Sequence, residues 1–505
     1  MEEANNQQNR LSATRVGIDT YQESVAYMRD DCLICRAEGF GVQTRVEIRS
    51  GERSIIARLN VVESDAGMLS PGHIGLSKVA WERLALTDGR EVNVSHPAWV
   101  NSLSYVRRKI FDQPLTREQF GAIVLDIQAG RYTDVHIASF LTACANRLDV
   151  DEVAHLTRAM VDVGTCLTWP DSGVVVDKHC IGGLPGNRTT PILVSIAAAA
   201  GLTMPKTSSR SITSPAGTAD TMEVLTRVDL DMDRIRSVVQ QEGACLAWGG
   251  NASLSPVDDI LIRVEKAMDL DSEGQLVASV MSKKIAAGST HILIDIPVGP
   301  TAKVRTRSSA EALKKVFEQV GQCLGVVVCP VITDGSQPIG RGIGPLFEAE
   351  DVLAVLQNQD DAPADLRDRG VMLAGLILEM AGRSEVGHGQ SLARELLTSG
   401  AAWHKFKAIC EAQGGLRKLP RVRYRRRLEA PVSGSVKAID NRKLASLAKL
   451  AGAPNAKAAG VRLLVKVGDK VAKGNALLEL CAETKGELRY AESYLKQVPD
   501  MIQLQ

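Results

Sequence analysis

Between residue 173 and about residue 347, short Val/Ile/Leu runs alternate with alanine-rich stretches of helical length, and this alternation limits the possible folds more than any other feature. Residues 174–176, 292–296 and 326–328 are the candidate strands. Strands alternating with helices specify a parallel or mixed sheet covered by helices, because parallel neighbours need a crossover connection. In open sheets of that kind, ligands bind beyond the C-terminal ends of the strands. The segments just after each strand are therefore where function is sought.

Residues 177–190, Asp-Lys-His-Cys-Ile-Gly-Gly-Leu-Pro-Gly-Asn-Arg-Thr-Thr, follow the first strand and lead into Pro-Ile-Leu-Val-Ser-Ile-Ala-Ala-Ala-Ala. They read as a glycine-rich turn entering a helix. Glycine lets the backbone approach an anion, and the first helical amides face whatever sits there. Lys178 adds a cation, and Thr189 and Thr190 add hydroxyls. Lys178 precedes the glycines, so the spacing is not that of a nucleoside-triphosphate loop. A second segment, residues 205–223, is almost free of large apolar groups inside an apolar region. Either segment alone also fits a plain connection or a solvated loop. Separated by one alanine-rich helix, the two meet at the same end of the sheet, where Ser208, Ser209, Arg210, Ser214 and Thr218 can hold sugar hydroxyls and a phosphate. Glycine-rich residues 334–344 supply a third loop there.

Lys+Arg number 60 against Asp+Glu 59, a formal net charge of +1, so no general nucleic-acid footprint is present. Aromatics at 4% argue against base-stacking platforms. No apolar run reaches membrane-spanning length and the N-terminus is polar, which predicts a cytoplasmic protein. Ten scattered cysteines read as reduced thiols rather than a disulfide framework. Cys32 and Cys35 form a lone Cys-x-x-Cys, without the second pair a zinc site needs.

The expected class is a multidomain α/β protein. Residues 1–95 alternate apolar and polar positions and read as an N-terminal β-rich domain. Residues 96–170 read as a helical domain, with a threonine cap at Thr116 and the helical pattern repeated over 133–145 and 150–163. Residues 171–350 form the α/β sheet domain with its phosphate-binding loops, and 351–427 a helical segment and linker. Residues 428–505 read as a C-terminal α+β, barrel-like domain. Its strand–turn–strand units resemble biotinyl and lipoyl carriers, but no modifiable lysine motif stands at a hairpin tip. The basic run at 421–427 reads as a solvated linker or edge strand.

The pair of motifs at 177–183 and 208–223 resembles the signature of the thymidine/pyrimidine-nucleoside phosphorylase family. The similarity is greatest to its long branch, which holds the AMP phosphorylases and the bacterial type-2 thymidine phosphorylases, and it extends over nearly the whole chain. The resemblance implies phosphorolysis, in which phosphate attacks C1′ of the pentose while the base departs. It implies no metal or other cofactor, inorganic phosphate as co-substrate, a nucleoside or nucleotide partner, and a homodimer. Lys178, Thr190, Ser208 and Thr218 match its phosphate-holding residues. Gly183, Ser209, Arg210, Ser211, Ile212, Thr213, Ser214, Thr218, Ser279 and Lys303 match nucleotide contacts of the AMP branch. Ser279 and Lys283 lie four apart, hence on one helical face, and match the base-reading pair of the thymidine enzymes. Asp271 matches a proton donor, although the residue also suits a helix cap.

Two departures stand out. Cys180 replaces a serine, and a thiol is a weaker donor. Arg263 lies near, but not squarely at, an arginine position of the thymidine enzymes. Thymidine phosphorolysis leads, with AMP phosphorolysis as the alternative. An anthranilate-type phosphoribosyltransferase, of similar architecture, is a further reading.

Overall fold

A computed structural model describes residues 10–20, 23–42, 44–145, 147–211, 214–252, 254–270 and 272–505. The chain divides into two compact units, residues 1–147 with 257–271, and residues 148–256 with 272–505.

In the first unit six strands, Arg10–Arg15, Val25–Arg29, Arg45–Ser50, Arg53–Val62, His73–Leu76 and Glu91–Ser95, close into a barrel. The period-two alternation has a direct outcome: Val46, Ile48, Ala57 and Leu59 point inward and are fully buried. Two of the pairings are parallel, Arg10–Arg15 with His73–Leu76 and Val25–Arg29 with Arg53–Val62. Cys32 stands at the N-terminal boundary of the short helix Leu33–Glu38 without a side-chain cap, and Cys35 is buried on that helix, its sulfur 3.8 Å from that of Met28. Besides Leu33–Glu38 and Lys78–Leu84, the helices described in this unit are Leu103–Ile110, Arg117–Gln128, Asp134–Cys144 and most of Pro256–Met268. Thr116 and Thr133 both close capping boxes, with Gln119 and His136 answering from the third helical position.

The helix Val150–Asp162 belongs to the second unit, where it packs against Glu273–Ala286 and Arg307–Leu324. The helical run that reads as one layer is thus divided between the two units. An amphipathic pattern reports that one face is buried, not what covers it.

The strands of the second unit that carry the motif loops pair in parallel. Val327–Asp334 pairs with His291–Val298, which pairs with Val176–Cys180. Met204–Ser208 pairs with Ala244–Trp248, and a bridge from Val175 to Thr203 joins the two sets. The first strand runs further than its apolar run predicts: Asp177 and Lys178 lie on it, opposite Ile292 and Leu293. Charged residues are tolerated there because each meets a buried counter-charge. The helix Thr189–Ala199 follows, with Ile192, Leu193, Val194 and Ile196 fully buried.

Helices Pro345–Leu356, Ala364–Met380, Gly389–Thr398 and Ala401–Gln413 complete the core. The C-terminal strands form two small sheets rather than one closed barrel. One orders Gly342–Ile343, Gly460–Leu463, Ala476–Ala482 and Tyr424–Glu429; the other orders Lys470–Val471, Gly434–Ile439 and Ile502–Leu504. Helices Asn441–Leu450 and Lys485–Gln497 pack on their shared core. The second half of the basic run, residues 424–427, lies on the edge strand Tyr424–Glu429.

Candidate active site

Lys178 is fully buried in the middle of the strand Val176–Cys180. Its Nζ donates to Thr189 Oγ1 at 3.0 Å and lies 3.4 Å from Asp295 Oδ2, which is also fully buried. Asp295 accepts further bonds from Thr333 at 2.7 Å and from Asn187 at 3.3 Å. Burial pushes the Asp295 carboxyl up, but the Lys178 charge and the Thr333 bond outweigh it and hold it below its usual value. The lysine is therefore aimed by residues from three further segments. Thr190, next to Thr189 in the first turn of the helix, is also buried.

The glycines act by close approach. Gly182, Gly183 and Gly186 take positive φ, at 96°, 79° and 71°. A Cβ on Gly183 would sit 2.2 Å from the Lys303 backbone nitrogen, and one on Gly186 would sit 2.3 Å from the Ile339 carbonyl. The turn thus presses against the Lys303 segment and the 334–344 loop, bringing three expected ligand segments together.

Arg188 joins the first loop to the second. Its Nε donates to Glu348 Oε2 at 2.6 Å, Nη1 to Thr218 Oγ1 at 2.9 Å and Nη2 to the Ala216 carbonyl at 3.0 Å. Burial raises the Glu348 carboxyl, partly opposed by Arg188. In the hydroxyl-rich segment, Asp220 accepts the amides of Ser211 at 2.7 Å and Gly217 at 2.9 Å, pinning the loop. Ser214 donates to the Ala216 carbonyl at 2.8 Å. Ser209 is exposed. The Ser208 hydroxyl is sealed from solvent without a hydrogen-bond partner in the protein. A buried hydroxyl in that condition calls for an acceptor or donor from outside.

Arg210 differs from the expectation of an available cation. Two of its nitrogens donate to Glu223 at 2.8 and 2.7 Å, Asp220 lies 3.4 Å away, and the guanidinium stacks 4.7 Å above the Trp248 ring. The Arg210 bond, joined by the Lys457 ion pair at 2.6 Å, lowers the Glu223 carboxyl to about 2.

Ser279 and Lys283 lie on the helix Glu273–Ala286, both half-buried. The next residue, Lys284, reaches 2.9 Å from Asp177 and donates to the Thr207 carbonyl at 3.3 Å, which fixes this helix against both loop-bearing strands. Cys180 accepts from Asn187 at 3.4 Å, and burial beside Asp295 pushes its thiol up to about 12. It stays a neutral group. Arg263 lies in the first unit, where its two terminal nitrogens grip Asp134 at 2.8 and 2.7 Å. Asp271, Ile212 and Thr213 lie outside the described residues.

Reading the sequence missed Asp295, Arg188, Glu348 and His179. Asp295 does carry a signal: it is the lone acid in an apolar strand, His-Ile-Leu-Ile-Asp-Ile-Pro-Val, whereas Glu348 shares its helix with Glu350 and Asp351 and does not stand out. His179 is held well below its usual range by burial and by Lys284, Lys206, Lys178 and Lys283. The unfolded chain therefore takes up a proton below about pH 6.5 while the folded chain does not. Stability falls on acidification from that point, by at most about 1.4 kcal/mol per pH unit for this one group. Thermal melts between pH 7 and 5 should show the drop, and His179→Gln should flatten it.

Residues 103–164 match the helical bundle domain of the glycosyl transferase family and 172–403 its a/b domain, while 435–499 match the pyrimidine nucleoside phosphorylase C-terminal domain. A protein of Acidovorax sp. (strain JS42) named "Putative thymidine phosphorylase 1" is 56% identical over 505 residues, covering 100% of this chain and 98% of the relative. A protein of Legionella pneumophila (strain Paris) named "Putative thymidine phosphorylase" is 56% identical over 493 residues, 97% of this chain and 95% of that one. Among solved structures, anthranilate phosphoribosyltransferase from Thermus thermophilus shares the fold at a TM-score of 0.51 and 19% identity, over 61% of this chain and 98% of that one. The family matches and these relatives define a pentosyltransferase. The chain belongs to the thymidine/pyrimidine-nucleoside phosphorylase family, and its activity is that of a nucleoside phosphorylase. No helix among the described residues is long and apolar enough to cross a membrane.

Proposed function

We propose that the protein is a thymidine phosphorylase-type enzyme, reversibly converting thymidine and phosphate into thymine and 2-deoxyribose 1-phosphate. Lys178, Thr190, Ser208 and Thr218 hold the phosphate. Ser279 and Lys283 read the base, and Gly183, Lys303 and the Ser209–Ser214 stretch line the sugar. As the C1′–N bond stretches, positive charge develops on the pentose and negative charge on the base. An anion fixed below C1′ stabilises the first, and a cationic or protonating group the second. Asp271 is assigned as the proton donor to the leaving base. No cofactor takes part, and the enzyme works in the cytoplasm as a homodimer.

One observation carries the choice of nucleoside over nucleotide. A 5′-phosphate needs its own charged donors, and Arg210, the natural candidate, is already neutralised by Glu223 and Asp220. The AMP reading draws its support from the juxtaposed Gly183 and Lys303, which match nucleotide contacts of that branch. Incubation with phosphate and thymidine, uridine, AMP or CMP, followed by measurement of free base, tests the proposal. Thymine release should exceed base release from AMP by at least tenfold. Preferential cleavage of AMP would replace this substrate with the alternative, and no release from any of the four would overturn the site assignment.

A further inference from the structure

Two lysines behind the phosphate strand have no part in the scheme above. Lys206 and Lys284 retain 4% and 3% of their exposure. They meet the two oxygens of a single carboxylate: Lys206 Nζ lies 3.2 Å from Asp177 Oδ1, and Lys284 Nζ 2.9 Å from Oδ2. Both also donate to the Thr207 carbonyl, at 2.8 and 3.3 Å. Asp177 is fully buried, and its Oδ1 accepts the Lys178 amide at 2.6 Å. Burial pushes the Asp177 carboxyl up, but Lys206 and Lys284 outweigh it and hold it below its usual value.

Two buried cations against one anion leave a surplus positive charge in the interior. Stability alone does not explain that choice, because well-packed apolar residues replace buried ion pairs at little or no cost. Location does explain it. Asp177 immediately precedes Lys178, Lys206 stands two residues before Ser208, and Lys284 immediately follows Lys283.

We propose that Asp177, Lys206 and Lys284 form a buried positioning triad, one carboxylate bridging two ammonium groups, that locks the phosphate strand, the hydroxyl-rich loop and the Ser279–Lys283 helix in one register and places a positive potential behind the bound phosphate. The proposal rests on the phosphorolysis reading of the site. It also makes the potential depend on pH. Burial lowers Lys206, Asp177 opposes this and Lys284 adds to it, leaving it at about 7. The groups facing Lys206 are Asp177 from its strand, Lys284 from its helix and Cys245 from the adjacent strand, whose thiol burial pushes up to about 12. His179, under the field of the same lysines, stays neutral. Lys206 is thus the member that changes charge near neutrality: its cation is present below about pH 7 and lost above.

The test compares wild type with Lys206→Met, Lys206→Arg and Asp177→Asn. Lys206→Met leaves the neutral Asp177–Lys284 pair and should fold; Lys206→Arg keeps the cation at every pH. In wild type, kcat/KM for phosphate should fall about tenfold between pH 6.5 and 8.5, beyond the titration of phosphate itself. Lys206→Met should remove that component and raise KM for phosphate at pH 6.5 more than it lowers kcat. Lys206→Arg should hold the low-pH value to pH 8.5. Profiles for both variants that superimpose on wild type would overturn the electrostatic part. Hydrogen–deuterium exchange tests the register without requiring turnover. In Asp177→Asn, residues 177–183, 206–211 and 279–285 should all exchange at least tenfold faster. Faster exchange confined to the strand around residue 177 would overturn the triad. If Asp177→Asn does not fold, Lys206→Met carries the same measurement for the first two segments. Failure of wild type to release any base would count against the site reading, while the exchange result still decides the triad.

Discussion

Replacing Lys178 with methionine, together with Asp295→Asn, lowers kcat/KM for phosphate by about 10²–10³-fold, the scale expected when a preorganised donor to a reacting anion is removed. The double substitution is needed because the single one confounds two effects. Lys178→Met alone strands Asp295, which is fully buried and 3.4 Å from the lysine. Breaking one side of such a pair costs about 3–5 kcal/mol of stability, enough to mimic lost catalysis through unfolding. Asparagine at 295 keeps an acceptor for Thr333, whose bond to Asp295 is 2.7 Å, and removes the orphaned charge. Thermal melts establish that the double variant is folded, and phosphate-dependent thymine release then isolates the contribution of the lysine. A folded double variant within tenfold of wild type would remove Lys178 from the cradle.

The second large effect comes from one methyl group. Gly183→Ala places a Cβ 2.2 Å from the Lys303 amide nitrogen at a φ of 79°. The left-handed backbone costs roughly 1–2 kcal/mol for alanine, but the contact matters more, since a displacement of about 1 Å at a reacting centre can cost about 10²-fold in rate. Gly182→Ala separates the two causes. Its φ is 96°, and a Cβ there meets nothing within 4 Å, so it incurs strain without collision. Gly183→Ala should lose at least tenfold in kcat/KM for the nucleoside, and Gly182→Ala should stay within a few-fold. Equal losses in the two variants would assign the effect to backbone strain and not to the Lys303 segment.

Local chemistry in the sequence foretold local structure. The Thr116 cap follows from a hydroxyl placed ahead of an apolar periodic run, and its capping box forms. The glycine-rich turn at 182–186 announces a close approach that the positive φ values then display. What the sequence withheld is long-range pairing. Lys178 and Asp295 are 117 residues apart, and Arg188 and Glu348 are separated by 160. Each residue looks like a solvated charge until the sheet register brings its partner alongside. Arg210 shows the same limit in reverse: it reads as a cation for a phosphate, and Glu223, thirteen residues on, neutralises it. A lone acid or lysine inside an apolar strand is the usable clue, because desolvation makes an unpaired charge there untenable.

The strand Tyr424–Glu429 hydrogen-bonds to Ala476–Ala482 on one side and stands at the border of its sheet on the other. Arg425, Arg426 and Arg427 follow one another along it, all exposed. Any strand from another molecule adding to that border would have to strip water from three guanidinium groups in succession, a recognised defence against sheet-to-sheet accretion. The basic run therefore bears on how concentrated a solution of this protein can become before it aggregates. Neutralising those arginines would be felt first as turbidity on storage, well before any change in turnover.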